Sequence, residues 1–230
     1  MKSIVLTPTV ISFKYAGGVL TATDMHGTYG GLSKFTNLQR TFKLSSSTII
    51  SYTGEYSDIM FLHKALRYEI LKDNIEISPI EIHRLLQRVI YGKRSDYEPI
   101  NVNVNVLGKS DSNEDESLFS PVIVYPENYK DNGFFLGSVN EKGNFFFNDV
   151  ICTGFGAYLV TPFLREKVEG KWENISRDQA VKIAEDAMRI LIYRDCFALN
   201  KIQIGIVESN FCDVSQPYVL NTEWEMGREV

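Results

Sequence analysis

Hydrophobic and polar positions alternate with a short period near the start of the chain. Residues 10–15 and 19–24 are rich in β-branched and aromatic side chains, and only Ala16, Gly17 and Gly18 separate them. This pattern predicts a β-hairpin. Two further segments, Thr41–Leu44 and Thr48–Tyr52, are divided by a run of serines that favours a turn.

The pattern then changes to a helical period. Apolar residues recur every three or four positions from about Ser57 to Lys72, which predicts an amphipathic helix. A second helix is predicted to start after Ser78, with Pro79 at its first position and Glu81 completing a capping box. Gly92 is the expected end of that helix.

The second half of the chain repeats this order. Strands are predicted at Asn101–Gly108, Phe134–Val139, Phe145–Asp149 and, near the end, Ile202–Glu208. A short helix is expected after Gly156. A longer one is expected after Ser176, where Gln179 completes a second capping box and an unbroken apolar face follows.

The order of elements predicts the fold class. Strands, two helices, strands, two helices and a strand, without long parallel crossovers, indicate an α+β protein: an αββα four-layer sandwich of two antiparallel sheets flanked by helix pairs. One domain is expected over residues 1–230. Within it, residues 109–132 are predicted to be a solvated, mobile insertion, with a binding loop as the alternative, and residues 215–230 a C-terminal tail.

Composition excludes some classes of partner. A net charge of -5 and a pI near 5.3 disfavour nucleic acid and anionic membranes. The cysteines Cys152, Cys196 and Cys212 are too widely spaced for a disulfide framework or a zinc pattern, and the histidines are scattered. No cofactor and no metal are therefore expected.

Several strings carry a family resemblance over essentially the whole chain. They are FKYAGGVLTATD, TNLQRTFKL, SYTGEYSD, TGFGAYLVTPFLRE and AEDAMRILIYRDC. With these strings the chain resembles proteasome β-type subunits, which have the N-terminal-nucleophile hydrolase fold. DMHGTYGGL, LIYRDC and a tail containing tryptophan are most similar to the non-catalytic subunit counted seventh in the eukaryotic β ring.

The resemblance implies where a threonine peptidase site would lie. In the register set by Phe13, the nucleophile position falls on Pro8, the first aspartate on Asp24, the lysine on Arg40 and the oxyanion glycine on Gly54. Proline has no hydroxyl, and arginine stays protonated instead of acting as a tunable charge. These four positions are interpreted as vestigial.

The later site positions are altered as well. The serine between two glycines is replaced by Phe155, which is expected to crowd the cleft; the late aspartate is Asp195; and the serine after it is Ala198. Thr7 and Thr9 are not expected to replace the nucleophile, because neighbouring side chains on a strand face opposite ways.

The sequence leaves three functions open. The first is a non-catalytic subunit that supports β-ring assembly and the joining of two half-particles in ubiquitin-dependent protein degradation. The second is an active threonine endopeptidase exposed by N-terminal processing, and the third is a free-standing binding protein. For the first, the resemblance implies a stacked four-ring, 28-subunit particle of α- and β-type subunits in cytoplasm and nucleus, with Trp224 and Met226 contacting the opposite β ring.

Overall fold

The computed structural model describes residues 5–73, 77–109 and 133–225. Residues 110–132 of the predicted insertion, and Met226, lie outside this part of the chain. The helices are α1 (Tyr56–Asp73), α2 (Pro79–Ser95), α3 (Gly156–Leu159), α4 (Thr161–Val168) and α5 (Arg177–Arg194), with a 3-10 turn at Trp172–Asn174. The strands are β1 (Val5–Thr7), β2 (Val10–Tyr15), β3 (Gly18–Asp24), β4 (Gly27–Tyr29), β5 (Leu32–Phe35), β6 (Thr41–Lys43), β7 (Thr48–Glu55), β8 (Val102–Lys109), β9 (Phe134–Val139), β10 (Phe145–Phe147), β11 (Val150–Thr153), β12 (Lys201–Glu208), β13 (Phe211–Val214) and β14 (Tyr218–Val219).

These strands form two antiparallel sheets within the described residues. The first has the order β10-β9-β8-β7-β1-β4-β5, and β6 pairs with the same edge of β7 as β1 does, further along the strand. The second has the order β11-β2-β3-β12-β13, with β14 also on β12. Helices α1 and α2 pack on the outer face of the first sheet, and α3, α4 and α5 on that of the second. The predicted four-layer sandwich is confirmed.

The layer between the two sheets changes character along the strands. At one end it is apolar and buried, where Val19, Ile49, Leu107 and Val207 meet. Further along the same strands the facing side chains are hydroxyls and amides, and the layer ends at a buried Arg40–Asp24 pair. The sheets are therefore joined by contact at one end and by polar bonds at the other.

The end of α2 differs from its prediction. Gly92 has an ordinary helical backbone with open space around it, so the helix continues through this residue. It ends at Ser95. The chain turns at Tyr97, whose φ is 61°. The left-handed residue that ends the helix is thus a tyrosine and not the glycine that the sequence pattern indicated.

Strand predictions were incomplete where the chain changes sheet. Phe145–Asp149 is not one strand: β10 lies in the first sheet and β11 begins at Val150 in the second. The predicted strand Ile202–Glu208 is followed by two more, β13 and β14, which both pair with β12. The short strands β1, β4 and β5 were missed because they are only three or four residues long.

Candidate active site

The chain crosses from one sheet to the other at the predicted nucleophile position. β1 ends at Thr7 in the first sheet, β2 begins at Val10 in the second, and Pro8 and Thr9 lie between them. Proline lacks an N–H and cannot donate to a strand ladder, which suits this break. The expectation that Thr7 and Thr9 share one strand is therefore wrong. Thr7 ends a strand of the first sheet, and Thr9 directly precedes a strand of the second.

Strand β1 occupies the cleft between β4 and β7. Leu6 pairs with Thr28 on one side and with Glu55 on the other, and Thr7 pairs with Gly54. The backbone of this N-terminal segment thus takes up the hydrogen-bonding edges that face each other across the cleft.

The hydroxyl of Thr7 is hydrogen-bonded to the backbone of Gly54, the predicted oxyanion donor. Its Oγ1 accepts a hydrogen bond from the Gly54 N–H at 3.1 Å and donates one to the Gly54 carbonyl at 3.0 Å. Gly54 has a φ of 122°, and a β-carbon there would collide with the Asn101 carbonyl, so the position requires glycine. The Gly54 N–H is therefore present as a donor, but the Thr7 hydroxyl of the same chain already accepts its hydrogen bond.

Asp24 and Arg40 form a buried ion pair between the sheets. The Arg40 guanidinium contacts the Asp24 carboxylate and donates from Nη2 to the Asp24 carbonyl at 2.8 Å, while Nη1 donates to the Tyr52 carbonyl at 3.4 Å. The other carboxylate oxygen accepts from the Leu199 N–H at 3.1 Å. Burial raises the pKa of Asp24 to about 6, and Arg40 and the Leu199 N–H oppose that rise. Arginine thus serves here as a structural counter-ion.

The loop of residues 154–156 closes against the sheet crossing. Gly156 donates its N–H to Thr9 Oγ1 at 3.0 Å, and Gly154, with a φ of 72°, lies against the Pro8 carbonyl. Phe155 does not crowd the cleft as expected. It is 52% exposed, with its ring 6.1 Å from that of Tyr158, because the glycines on either side make the close contacts and leave the ring to solvent.

Asp195 and Ala198 lie in the turn after α5. The Asp195 carboxylate accepts from the Phe197 N–H at 3.0 Å, and its carbonyl accepts from the Ala198 N–H at 3.0 Å. His26, which the sequence left unassigned, holds this turn: Nδ1 contacts the Phe197 carbonyl and Nε2 lies 2.6 Å from Ser33 Oγ. Both side chains therefore order backbone near Asp24.

The structure joins the predicted peptidase positions in two sets. Gly54 and the loop of residues 154–156 contact the sheet crossing at Pro8, and Asp24 pairs with Arg40 beside the turn that contains Asp195 and Ala198. The sequence missed the two threonine hydroxyls that cap Gly54 and Gly156, because their role depends on where the chain changes sheet. Within the described ranges, no group of three metal-binding side chains could hold a metal ion, and no helix is long and apolar enough to cross a membrane.

Comparison of the sequence with protein families shows to which family this chain belongs. The profile of the proteasome subunit family matches residues 6–120 and 113–207, which is most of the chain. This chain is a member of the proteasome subunit family.

Individual relatives place it among the β-type subunits. It is 41% identical to a probable proteasome subunit beta type-7 of Encephalitozoon cuniculi, over 99% of this chain and 96% of that protein. It is 34% identical to proteasome subunit beta type-4 of Arabidopsis thaliana, over 95% and 81%. Proteasome subunit beta type-7 of Saccharomyces cerevisiae is 27% identical, over 99% and 83%.

The tail of this proteasome β-type chain is partly built into its own fold. The Tyr218 hydroxyl donates to the Glu185 carboxylate at 2.9 Å, and Leu220 is buried in the core beside α5. The predicted tail over residues 215–230 therefore contributes Leu220 to the core. Beyond it, Trp224 is 62% exposed, with its ring 5.0 Å from that of Tyr193 on α5.

Proposed function

We propose that this chain is a non-catalytic β-type subunit of the proteasome core particle, within a multi-subunit threonine endopeptidase. The observation that carries the proposal is the pairing of Thr7 with the Gly54 N–H beside a proline at the nucleophile position. A subunit whose cleft is filled by its own chain has a structural role in the particle.

The chemistry supports this proposal. A threonine peptidase needs a hydroxyl beside a base and a free donor aimed at the developing oxyanion. Pro8 supplies no hydroxyl, the Gly54 donor is already bonded to Thr7, and the Arg40 guanidinium is fully buried against Asp24. Ala198 cannot supply the supporting hydroxyl. Each requirement fails at a different residue.

An active peptidase with Thr9 as its processed N-terminus is the alternative. Against it, Thr9 is buried at the start of the second sheet, and its hydroxyl accepts the Gly156 N–H. Cleavage before Thr9 would remove β1, and with it the Thr7 hydroxyl from the Gly54 N–H, so the carrying observation holds only while β1 stays attached. The mass of this chain in a native particle separates the two, since the non-catalytic proposal requires that Pro8 stays attached.

Restoring the nucleophile tests the proposal directly. We expect Pro8→Thr to remain unlabelled by a threonine-directed epoxyketone and to add no peptide turnover, because members of a catalytic unit do not act independently. The catalytic subunits in the same particle serve as the positive control. Covalent labelling of this chain, at the introduced threonine or at Thr9, would refute the proposal.

For its partners, we propose a place in a β ring of the stacked 28-subunit particle, in cytoplasm and nucleus, with the tail reaching the opposite β ring. The exposure of Trp224 supports this, since tryptophan is a common interface anchor. Met226 is proposed to contribute beside it.

Shortening the tail tests that placement. Deleting residues 224–230 should leave the fold intact, because Leu220 and β14 remain, but slow the joining of half-particles. Trp224→Ala should give a weaker form of the same defect, and Val219→Ala, an equally exposed residue earlier in the tail, is the control. Native gels with normal core particle and no half-particles in the deletion would contradict the inter-ring contact.

A further inference from the structure

A set of polar side chains forms one continuous hydrogen-bonded network between the two sheets. All of its members are fully buried. Strands β2 and β3 of the second sheet and β6, β7 and β8 of the first supply them: Ser12, Thr21, Thr23, Thr41, Ser51 and Asn105. Because the network is shut off from water, its hydroxyl groups must find their partners within the protein.

Three hydrogen bonds of this network cross from one sheet to the other. They join Asn105 Nδ2 to Ser12 Oγ at 3.0 Å, Ser51 Oγ to Thr21 Oγ1 at 3.1 Å, and Thr41 Oγ1 to Thr23 Oγ1 at 3.0 Å. Hydrogen bonds weaken steeply when their length and angle change, whereas the burial of apolar groups has no preferred direction. The network therefore favours one position of the first sheet over the second, which the apolar end of the layer does not specify in this way.

The remaining bonds of the network lie within the sheets. Ser12 Oγ donates to Thr21 Oγ1 at 3.0 Å between β2 and β3, and Thr41 Oγ1 lies 3.0 Å from Ser51 Oγ between β6 and β7. Thr21 Oγ1 also lies 3.2 Å from the carbonyl oxygen of Ile11. A carbonyl can only accept, so Thr21 is the donor in that bond.

The number of hydroxyl protons determines the direction of every other bond. Five hydroxyl groups form five bonds with one another and with one carbonyl, and each hydroxyl has a single proton. Since Thr21 gives its proton to the Ile11 carbonyl, Ser51 must donate to Thr21. By the same reasoning Thr41 donates to Ser51, and Thr23 donates to Thr41. Only this assignment supplies all five bonds.

Two chains of hydrogen bonds therefore meet at Thr21. One starts at the amide of Asn105 and the other at the hydroxyl of Thr23. The Thr21 hydroxyl accepts from both chains and donates once, which uses both of its lone pairs and its proton. Thr23 lies on the same strand and is equally buried, but within the network it only donates.

We propose that this network is a clamp, which holds the two sheets in one relative position, opens as a unit and is closed by Thr21. Each hydroxyl keeps its bond only while the next one along still accepts, so loss of the common acceptor at Thr21 releases both chains. Local opening of folded proteins occurs in cooperative units of this kind. The clamp operates in the free chain as in a particle, so it does not depend on the proposed function.

Two substitutions of nearly equal shape on the same strand test the direction of the bonds. Thr21→Val removes the acceptor of two buried donors, whereas Thr23→Val removes one donor and leaves every other hydroxyl its acceptor. We expect Thr21→Val to lower the thermal midpoint of the full chain by about 6 °C or more, and Thr23→Val by about 2 °C or less. Thr21→Ser keeps the hydroxyl and should recover most of the loss. Equal losses in the two valine variants, or a Thr21→Ser chain as unstable as Thr21→Val, would overturn the inference.

Exchange of the Thr41 hydroxyl proton with water tests whether the clamp opens as a unit. Thr41 is joined to Thr21 only through Ser51. In NMR of the threonine-labelled full chain, this proton should exchange slowly in the wild type and in Thr23→Val, and about tenfold faster or more in Thr21→Val. Leu136→Ala, at the apolar end of the same layer, is the matched control for lost stability, and its Thr41 proton should exchange more slowly than in Thr21→Val. Equal exchange in these two variants, or no change in Thr21→Val, would overturn the clamp.

Discussion

The two ends of the layer between the sheets solve the same packing problem with different chemistry. At one end, buried apolar side chains from both sheets meet directly, among them Val19, Ile49, Leu136 and Val207. At the cleft end the same sheets meet through an ion pair and hydroxyl groups that are just as deeply buried. Only the second end depends on an ion pair and hydrogen bonds between the sheets.

The cleft end holds the positions at which the family resemblance implied a peptidase site. Buried donors and acceptors still need partners, so the cleft cannot simply become apolar. Thr7 bonds Gly54, Thr9 bonds Gly156, and Arg40 bonds Asp24. These positions make contacts within the fold, so substitutions there should affect its stability.

The largest effect should come from breaking the ion pair. Arg40→Leu leaves the Asp24 carboxylate buried without its counter-ion, and we expect it to lower the free energy of unfolding by about 3–5 kcal/mol. Urea unfolding of the full chain measures the loss. Arg40→Lys keeps the charge but not the fork of donors and should lose less.

A double substitution isolates the cause of that loss. Asp24→Leu combined with Arg40→Leu removes both charges, so it should be less destabilising than Arg40→Leu alone. If the double variant is instead as unstable as the sum of the two single variants, the loss comes from packing, and the two ends of the layer do not differ as described.

The apolar end should respond through cavity formation. Leu136 is fully buried, and we expect Leu136→Ala to cost about 2–4 kcal/mol, while Leu136→Met, which nearly conserves volume, costs about 1 kcal/mol. Because no charge is left unpaired, no second substitution should rescue the loss. Recovery by a polar substitution opposite Leu136 would contradict the apolar description.

Acid pH should destabilise the helix layer of the first sheet. His83 is buried among phenylalanine rings and bonds the Ser138 carbonyl at 3.1 Å; burial lowers its pKa to about 4, and Arg84 adds to the shift. The unfolded chain takes up this proton near pH 6.5, so stability is complete above 6.5 and falls as pH decreases towards 4. By pH 5 we expect a loss of about 2 kcal/mol from this group.

His83→Gln removes that dependence and serves as the comparison for acid unfolding. The variant should lose less stability than the wild type between pH 7 and pH 5, and an NMR titration of the His83 ring should have its midpoint near 4. A ring midpoint near 6.5 would contradict the burial argument.

Local signals made much of this fold predictable. The capping boxes at Ser78 and Ser176 form as the sequence indicated, because each needs only residues three positions apart. The end of α2 could not be read in this way: Tyr97 has no preference for positive φ, so the turn depends on what surrounds it. The strands β4 and β5 were equally hidden, since they are only three and four residues long.

The candidate site was predictable in position but not in its bonds. The register of a strand motif located Asp24 and Arg40, and the structure joins them directly. The capture of Gly54 by Thr7 depends on a change of sheet at Pro8, which no periodic pattern records. The sequence therefore located these positions, and the structure revealed the hydrogen bonds made there.

The smallest effect should come from the middle of the layer, where hydroxyl groups bridge the sheets. Ser51 Oγ lies 3.1 Å from Thr21 Oγ1 and 3.0 Å from Thr41 Oγ1, and all three are buried. Ser51→Ala leaves two threonine hydroxyls with fewer partners, and we expect a loss of about 1–2 kcal/mol in urea unfolding. Ser57→Ala is the matched control, because Ser57 bonds only the exposed Glu55 carboxylate, and its loss should stay below about 0.5 kcal/mol. Equal losses at the two serines would mean that the bridging hydroxyls add nothing to the layer, and that its stability comes from the apolar contacts and the ion pair alone.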